Sequence, residues 1–409
     1  MRRFLDLHIH SPYSRACSPR LTLSNIAAAA VRKGIDIVAT GDFTHPAWFK
    51  IISSELEEKS DSGLYQLKSA NFKTLFLLST EVSLVYRDSG KARRIHLVVH
   101  APNLVAVASL NKYLGSKYNI RSDGRPILGI SAPDFVRACL QINPYFLIYP
   151  AHIWTPWYAV FGSKSGFNSL EECFHEQTGF IYAYETGLSS DPAMNWRFSA
   201  LDNLTCLSNS DAHSLENIGR EANVFALPKD DYQSIYQIIK EKRQTSDYSG
   251  DGIIETLEFY PEEGMYHLDG HRDCTFSCLP EESRRLQNIC PRCHRPLVIG
   301  VLNRVAELAD RPFGFKLKTA TPFRHLVELD KLIAESLNIK NCQSLRVQNI
   351  YNKMLDIFGN ELFILTEVDL KLVAAEYPLI AEGINRVRTG RLIIDPGFDG
   401  QYGCVRIFN

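Results

Sequence analysis

Asp6-Leu7-His8-Ile9-His10 is the stretch that decides how this chain is read. The apolar positions Phe4, Leu5, Leu7 and Ile9 predict a buried strand. His8 and His10 stand two residues apart on it and share one face. Two imidazoles so placed suit one metal ion. A single His-x-His pair arises often by chance. This one gains weight because a strand followed by a ligand recurs down the chain.

Ser11 to Arg15 reads as a turn-like loop, and Thr22 to Asn25 cap an Ala-rich helix that ends at Lys33-Gly34. The strand Ile35 to Thr40 runs into Gly41-Asp42-Phe43-Thr44-His45. Leu75 to Thr80 ends at Glu81, and Arg94 to His100 carries His96 and His100. Tyr145 to Tyr149 leads to His152, Phe180 to Tyr184 leads to Glu185, and Leu204 to Leu207 leads to Ser210-Asp211-Ala212-His213. Helical stretches such as 131–141 and 230–243 lie between several of these strands. Strand, ligand and helix in repetition predict a (β/α) barrel with its site on the C-terminal face. Any one of these histidines is more often structural, and acidic residues at strand ends also cap helices. The shared register of about seven such positions argues for a metal site.

The chain has 409 residues, enough for two or three domains. Its 45% hydrophobic and 22% charged residues are ordinary for a globular protein. No apolar run reaches membrane-spanning length, and the first residues lack signal-peptide architecture, so the expected location is cytoplasmic, with no membrane partner. Ten cysteines in a chain of this length predict a local metal cluster rather than a disulfide framework. A formal net charge of −1 announces no polyanionic partner, so a nucleic-acid surface would have to be local.

From about Ser246 the texture changes. Residues 247–252 read as a linker, and His267, His271, Cys274, Cys278, Cys290 and Cys293 cluster beyond it. Cys290-Pro291-Arg292-Cys293, with His271-x-x-Cys274 upstream, has the spacing of a structural zinc site. His271, Cys274, Cys290 and Cys293 are the favoured ligands, with Cys278 or His267 as substitutes. The remainder, 302–409, reads mainly as amphipathic helix. Its basic runs at 313–318 and 386–391 fit either solvated helix ends or a phosphate-contacting surface.

Imidazoles mixed with carboxylates suit Zn, Mn or Fe. There are too many candidates for one ion, and Glu81 is placed to bridge two ions roughly 3.5–4 Å apart, as in sites that activate water against a phosphoryl group. The sequence shows no glycine-rich phosphate loop and no serine nucleophile elbow. Metal-assisted phosphoester hydrolysis is the reaction class that follows.

Asp6-Leu7-His8-Ile9-His10, Gly41-Asp42 with His45, Glu81, His96, His152 and Ser210-Asp211-Ala212-His213 resemble the motifs of the PHP (polymerase and histidinol phosphatase) superfamily. The resemblance implies an α/β fold: a PHP-type distorted (β/α)7 barrel over 1–245, then a zinc-binding domain over 250–312 and a helical C-terminal domain over 313–409. It implies up to three ions. His8, His10, Glu81 and Asp211 match a first site, Glu81, His96 and His152 a second, and Asp42 or His45 with His213 a third. The chain departs from the pattern where Phe43 and Thr44 separate Asp42 from His45, and where Ser14-Arg15-Ala16 replaces a further histidine of many relatives.

Over its full length the chain resembles the endonuclease Q family. The stretches that carry this are Pro150-Ala151-His152-Ile153-Trp154-Thr155-Pro156-Trp157, Phe161 to Phe167, Gly270-His271-Arg272 with the cysteine cluster, Arg304 to Arg311, and Ile380 to Ile384. That resemblance implies incision of DNA on the 5′ side of deaminated bases (uracil, hypoxanthine, xanthine) and abasic sites, leaving a 3′-hydroxyl and a 5′-phosphate. Asp211, His8 and Glu81 are the expected catalytic residues. Zn2+ is the expected structural ion and a barrel ion, with Mg2+ or Mn2+ as the alternative for catalysis. A base inspected in duplex DNA must be extruded into a pocket. Trp154, Trp157, Tyr158 and Phe161 could stack on it or wedge the duplex, and equally could be core. Lys164 could hold a phosphate, and Ser189 on the Gly187–Ser190 turn could meet a keto oxygen. A phosphatase of the same superfamily acting on a small phosphoester explains the barrel but leaves the cysteine cluster and the helical tail unused. A non-catalytic binding module that keeps its metals for folding has no need of so complete a ligand set. A sliding clamp is a candidate partner, although Cys404 to Asn409 shows no recognisable clamp peptide.

Overall fold

The computed structural model describes residues 1–409 apart from 71, 246–249 and 409. Three sheets form the walls of the N-terminal region. The largest has eight strands in the order Phe323–His325, Gly252–Glu258, Ala222–Ala226, Arg2–Asp6, Ile37–Ala39, Leu75–Leu77, Leu64–Leu67 and Leu56–Glu58. The second orders Ile127–Leu128, Ser79–Asp88, Lys91–His100 and Leu147–Pro150, and the third pairs Ala183–Glu185 with Thr205–Leu207. Leu5, Ile37, Leu75 and Phe225 of the first sheet, Val98 and Leu147 of the second, and Ala183 and Leu207 of the third share one buried cluster. Side chains from all three sheets thus fill one interior, so the walls surround a common core as in a barrel, without continuous strand pairing between the sheets among the described residues.

The distortion has a definite source. Arg2–Asp6 pairs parallel with Ile37–Ala39 but antiparallel with Ala222–Ala226. Ser79–Asp88 and Lys91–His100, ten residues each, form an antiparallel hairpin with no helix between them. The expected helices are present between strands. Leu23–Lys33 starts where the Thr22 hydroxyl accepts the Asn25 N–H, and stops at Gly34 in the left-handed conformation. Ala132–Ile142 and Tyr232–Lys240 are capped by Ser131 and Asp231 in the same way.

The sheet runs across the boundary expected near 245–250. Residues 247–249 of the expected linker lie outside the described residues. Gly252–Glu258, with Ile253 and Leu257 buried, pairs with Ala222–Ala226, and Phe323–His325 pairs with Gly252–Glu258. The C-terminal region is helical from Leu329–Ser336 and Leu345–Phe358 through Pro378–Arg388, as its periodicity predicts. A buried ion pair docks it on the barrel. Lys33 Nζ at the end of the first helix lies 2.8 Å from Glu361 Oε2, which also accepts the Tyr351 hydroxyl. The segment ending at Phe408 is not a free peptide. Cys404–Arg406 pairs with Ile393–Asp395, Ile407 is buried, and Glu335 holds the Phe408 N–H. Among the described residues no helix is long and apolar enough to cross a membrane.

Candidate metal centre

His8, His10, His152 and Asp211 lie just past strand ends, and Glu81 and His96 stand within the paired strands Ser79–Asp88 and Lys91–His100. Beyond Arg2–Asp6 the chain stays extended long enough for Ile9 to bridge Ala212, which sets His8 and His10 beside Asp211. Asp6 carries no ligand role. It is fully buried and accepts the backbone N–H groups of Ser210 and Gly219, so it fixes the turn that presents Asp211. Asp42, His152 and Asp211 all have positive φ (47°, 28° and 47°), an uncommon conformation for non-glycine residues that clusters at functional sites. At Gly187, also at positive φ, a Cβ would lie 2.4 Å from His152 Cβ, so only glycine lets that turn close on the histidine.

His8, His10, Glu81 and Asp211 form one group whose ligand atoms lie within 4.8 Å of one another, and Glu81, His96 and His152 form a second. Glu81 joins them with its two oxygens. Oε2 lies 3.4 Å from His10 Nε2, while Oε1 lies 2.8 Å from His96 Nδ1 and 3.1 Å from His152 Nε2. Asp211 Oδ1 is 3.0 Å from His10 Nε2 and 3.7 Å from His8 Nε2. His8 Nε2, His10 Nε2 and Asp211 Oδ1 are buried without a hydrogen-bond partner. Orphaned buried polar atoms are costly unless something binds them, and these three are Lewis-basic atoms aimed at one point. The donor set therefore fits divalent ions.

The surroundings reinforce this. His8 Nδ1 is 3.0 Å from Glu185 Oε2, and His10 Nδ1 is 3.0 Å from Asp42 Oδ1, so each imidazole is held by a carboxylate at its far nitrogen. Burial pushes both imidazoles down, but Glu185 and Asp211 around His8, and Asp42 and Asp211 around His10, outweigh it and hold them well above the usual range. Burial likewise pushes Glu81 and Asp211 up. His96 and Arg125 beside Glu81, and His10 and His8 beside Asp211, override it and hold both carboxyls well below the usual range. Burial takes His96 down to about 4 against the pull of Glu81, leaving one ring nitrogen with a lone pair available to a cation.

A third group is not assembled. Asp42 Oδ1 is taken by His10, and Oδ2 accepts the Ser11 N–H (2.7 Å), the Ser11 hydroxyl (2.6 Å) and the Ser14 hydroxyl (2.8 Å). His45 bonds through Nε2 to the Arg121 carbonyl and stacks on Tyr13. His213 lies beside His10, its Nδ1 2.8 Å from the Asp211 carbonyl. Asp42, His45 and His213 thus stand outside the two ligand groups, contrary to expectation. The Asp42 oxygens serve His10, Ser11 and Ser14, and His45 Nε2 the Arg121 carbonyl, while His45 Nδ1 is buried without a partner among the described residues and has no ligand group around it.

Two contributors escaped the sequence reading of the site. Sequence pattern offers Glu185 only as one more potential ligand at a strand end, and its contacts give it a different part. It accepts His8, the His152 N–H and the Asn209 amide. Arg125 carried no signal at all and sits 2.9 Å from Glu81 Oε2.

The expected lesion-binding residues divide. Trp154 is fully buried, bonds Asn195 through its indole N–H and packs on Phe161, itself buried, so neither ring is available to a base. Trp157 is 41% exposed and only edge-packed against Tyr266, and Tyr158 lies over His96. Lys164 is exposed, in a groove shared with Lys91 and Arg93. Ser189 is half-buried on a turn closed by the Ser190 N–H and the Gly187 carbonyl.

In the cysteine cluster the favoured set comes together. His271, Cys274, Cys290 and Cys293 offer atoms within 4.8 Å of one another. Cys278 instead packs into the small apolar core beside Cys290 and Leu297, and His267 lies outside the group.

Residues 328–391 match the family described as MJ0043 C-terminal domain, and residues 194–243 the family described as PHP-associated. The chain is 30% identical over 258 residues to an uncharacterized protein, MJ0043, of Methanocaldococcus jannaschii, a match over 61% of this chain but only 31% of that protein. It is 27% identical over 422 residues to YqxK of Bacillus subtilis, also uncharacterized, covering 98% of this chain and 99% of that one. The crystal structure of the lesion-specific endonuclease PfuEndoQ from Pyrococcus furiosus superposes with a TM-score of 0.86 at 29% identity, over 99% of this chain and 95% of that one. A structure of endonuclease Q with a 27-mer duplex substrate carrying an abasic lesion at the active site gives 0.85 at 30% identity, over 100% and 97%. With identity, coverage and fold agreeing from end to end, the chain belongs to the endonuclease Q family, PHP-type endonucleases that act on lesions in DNA.

Proposed function

We propose that this protein is a metal-dependent DNA repair endonuclease that hydrolyses the phosphodiester 5′ to deaminated bases and abasic sites. The observation that carries the reading is the shared carboxylate: Glu81 faces four imidazoles through its two oxygens and shares one of its ligand groups with Asp211. The surrounding chain matches, over its whole length, an endonuclease with abasic duplex DNA at its active site.

Divalent ions held by the two groups would supply a water of lowered pKa and positive charge against the phosphoryl oxygens. The chain's own residues set that chemistry up. Glu185 and Asp42 fix the rotation of His8 and His10. Asp211, the more exposed carboxylate of the site, is placed to orient the attacking water. Hydrolysis joins the water oxygen to phosphorus and breaks the P–O3′ bond, and the departing O3′ takes a proton. Trp157, exposed, and Ser189, half-buried on its turn, are the parts we assign to meet an extruded base, and the exposed Lys164 to meet a phosphate. His271, Cys274, Cys290 and Cys293 would hold a structural Zn2+. The cytoplasm is the compartment we assign. A clamp contact finds no support at the C-terminal strand, which is paired.

The test is an end-labelled duplex with one uracil, hypoxanthine or abasic site, incubated with the protein and Mg2+, Mn2+ or Zn2+. A single nick immediately 5′ of the lesion, absent from undamaged duplex and from Asp211→Ala, is the expected result. No nick with any lesion or ion would return the site to a small phosphoester.

A further inference from the structure

The site has a built-in cation of its own. Arg125 Nη1 lies 2.9 Å from Glu81 Oε2, the oxygen that also faces His10 and His8. The backbone that carries it is pinned on both sides. The Gly124 N–H donates to the Tyr13 carbonyl, and its carbonyl accepts the Thr44 hydroxyl. The Ser83 N–H donates to the Pro126 carbonyl, and Ile127–Leu128 pairs with the strand that bears Glu81. A Cβ at Gly124 would lie 2.4 Å from Asp42 Oδ2, so this turn is pressed against the carboxylate that orients His10. The guanidinium therefore projects into the site from a fixed point.

Exposure shows which side of the centre faces solvent. The His8, His10 and Glu81 side chains are 2%, 0% and 0% exposed, whereas those of Asp211, Arg125 and His213 are 20%, 24% and 30% exposed. Arg125 thus stands at the mouth, where a phosphodiester would arrive. Of its five N–H donors, the bond to Glu81 is the single side-chain hydrogen bond it makes among the described residues.

We propose that Arg125 is a catalytic residue that binds a non-bridging oxygen of the scissile phosphate. The proposal rests on the endonuclease reading above. Glu81 Oε2 cannot fully serve both the guanidinium and a divalent cation, so an occupied ligand group releases Arg125 donors that already face the mouth. Charge spreads over the non-bridging oxygens as water adds and O3′ departs, and a planar guanidinium that stays charged at all working pH values matches it. In the ion-free protein the same side chain neutralises Glu81.

The experiment uses the full chain and first confirms that the wild type nicks abasic duplex; failure there would overturn the endonuclease reading and not this residue's role. Arg125→Ala and Arg125→Lys are then compared in two assays. In chelator competition, Mn2+ is expected to bind Arg125→Ala at least as tightly as wild type, because a competing cation has left Glu81. In steady-state nicking, kcat is expected to fall about 100-fold or more, with a smaller change in KM and partial recovery in Arg125→Lys. A kcat within threefold of wild type overturns the proposal. So does loss of Mn2+ binding in parallel with activity, which would make Arg125 a support for the ligands.

Discussion

Glu185 Oε2 lies 3.0 Å from His8 Nδ1 while Glu185 Oε1 accepts the His152 N–H, so one carboxylate sets ligand residues that follow two different strands. Holding Nδ1 leaves Nε2 as the free nitrogen directed at the centre. Glu185→Gln keeps the shape and removes the charge. Ion affinity is expected to fall about 10- to 100-fold, measured by chelator competition, with the circular dichroism spectrum unchanged. Undiminished affinity would show that His8 needs no such support.

The same geometry predicts how many ions the chain holds. Two ligand groups in the barrel and one in the cysteine cluster give three per chain. Elemental analysis of His45→Ala is expected to return the wild-type count, because His45 lies outside all three ligand groups and its Nε2 bonds the Arg121 carbonyl. Cys290→Ser is expected to lose one ion and to expose its segment to protease, since Cys278, Cys290 and Leu297 make too small an apolar core to stand alone. A fourth ion that disappears with His45→Ala would restore the third barrel site.

Much of this centre was legible because strand ends are where a barrel puts its chemistry: His8, His10, Glu81, His152 and Asp211 each follow an apolar run, and His96 stands inside a strand of its own. What sequence periodicity could not show was which carboxylates touch metal and which touch histidine. Asp42 and Glu185 both follow strands, yet both bond imidazole Nδ1 atoms. Arg125 lies on an irregular segment, and only the register of Ile127–Leu128 beside Ser83–Leu84 brings it to Glu81. Trp154 and Trp157 are three residues apart in one loop, and nothing in their spacing tells the buried ring from the exposed one. The sheet beyond 245 was hidden for a similar reason: Gly252–Glu258 pairs with a strand from the helical region.

Stability should depend on pH through a carboxyl remote from the ligands. Glu258 is fully buried; desolvation, against hydrogen bonds from Thr256 and Thr186, pushes it up to about 7. A raised folded-state pKa contributes stability that is complete below the unfolded value, near 4.5, and is lost as pH rises through about 7. In Glu258→Gln an amide can still bond both threonine hydroxyls. The variant is therefore expected to unfold at a higher temperature than wild type above pH 8, by up to about 3 kcal/mol, with the gap closing below pH 5. A gap independent of pH would place the titration elsewhere.

The two tryptophans of the 154–157 loop should separate stability from DNA binding. Trp154→Ala empties a fully buried site and breaks the bond to Asn195, so it is expected to cost about 3–5 kcal/mol in denaturant unfolding. Trp157→Ala removes an exposed ring beside Tyr266 and should leave stability within about 0.5 kcal/mol. If Trp157 stacks on an extruded base or wedges the duplex, its loss weakens binding to abasic or uracil duplex by about 1–3 kcal/mol, read in Asp211→Ala so that the DNA stays intact. Undamaged duplex should be bound almost as before, because stacking is gained only where the helix has been opened. Equal weakening on damaged and undamaged DNA would assign Trp157 to the backbone track beside Lys164, and no weakening on either would leave the Gly187–Ser190 turn as the part that meets the lesion.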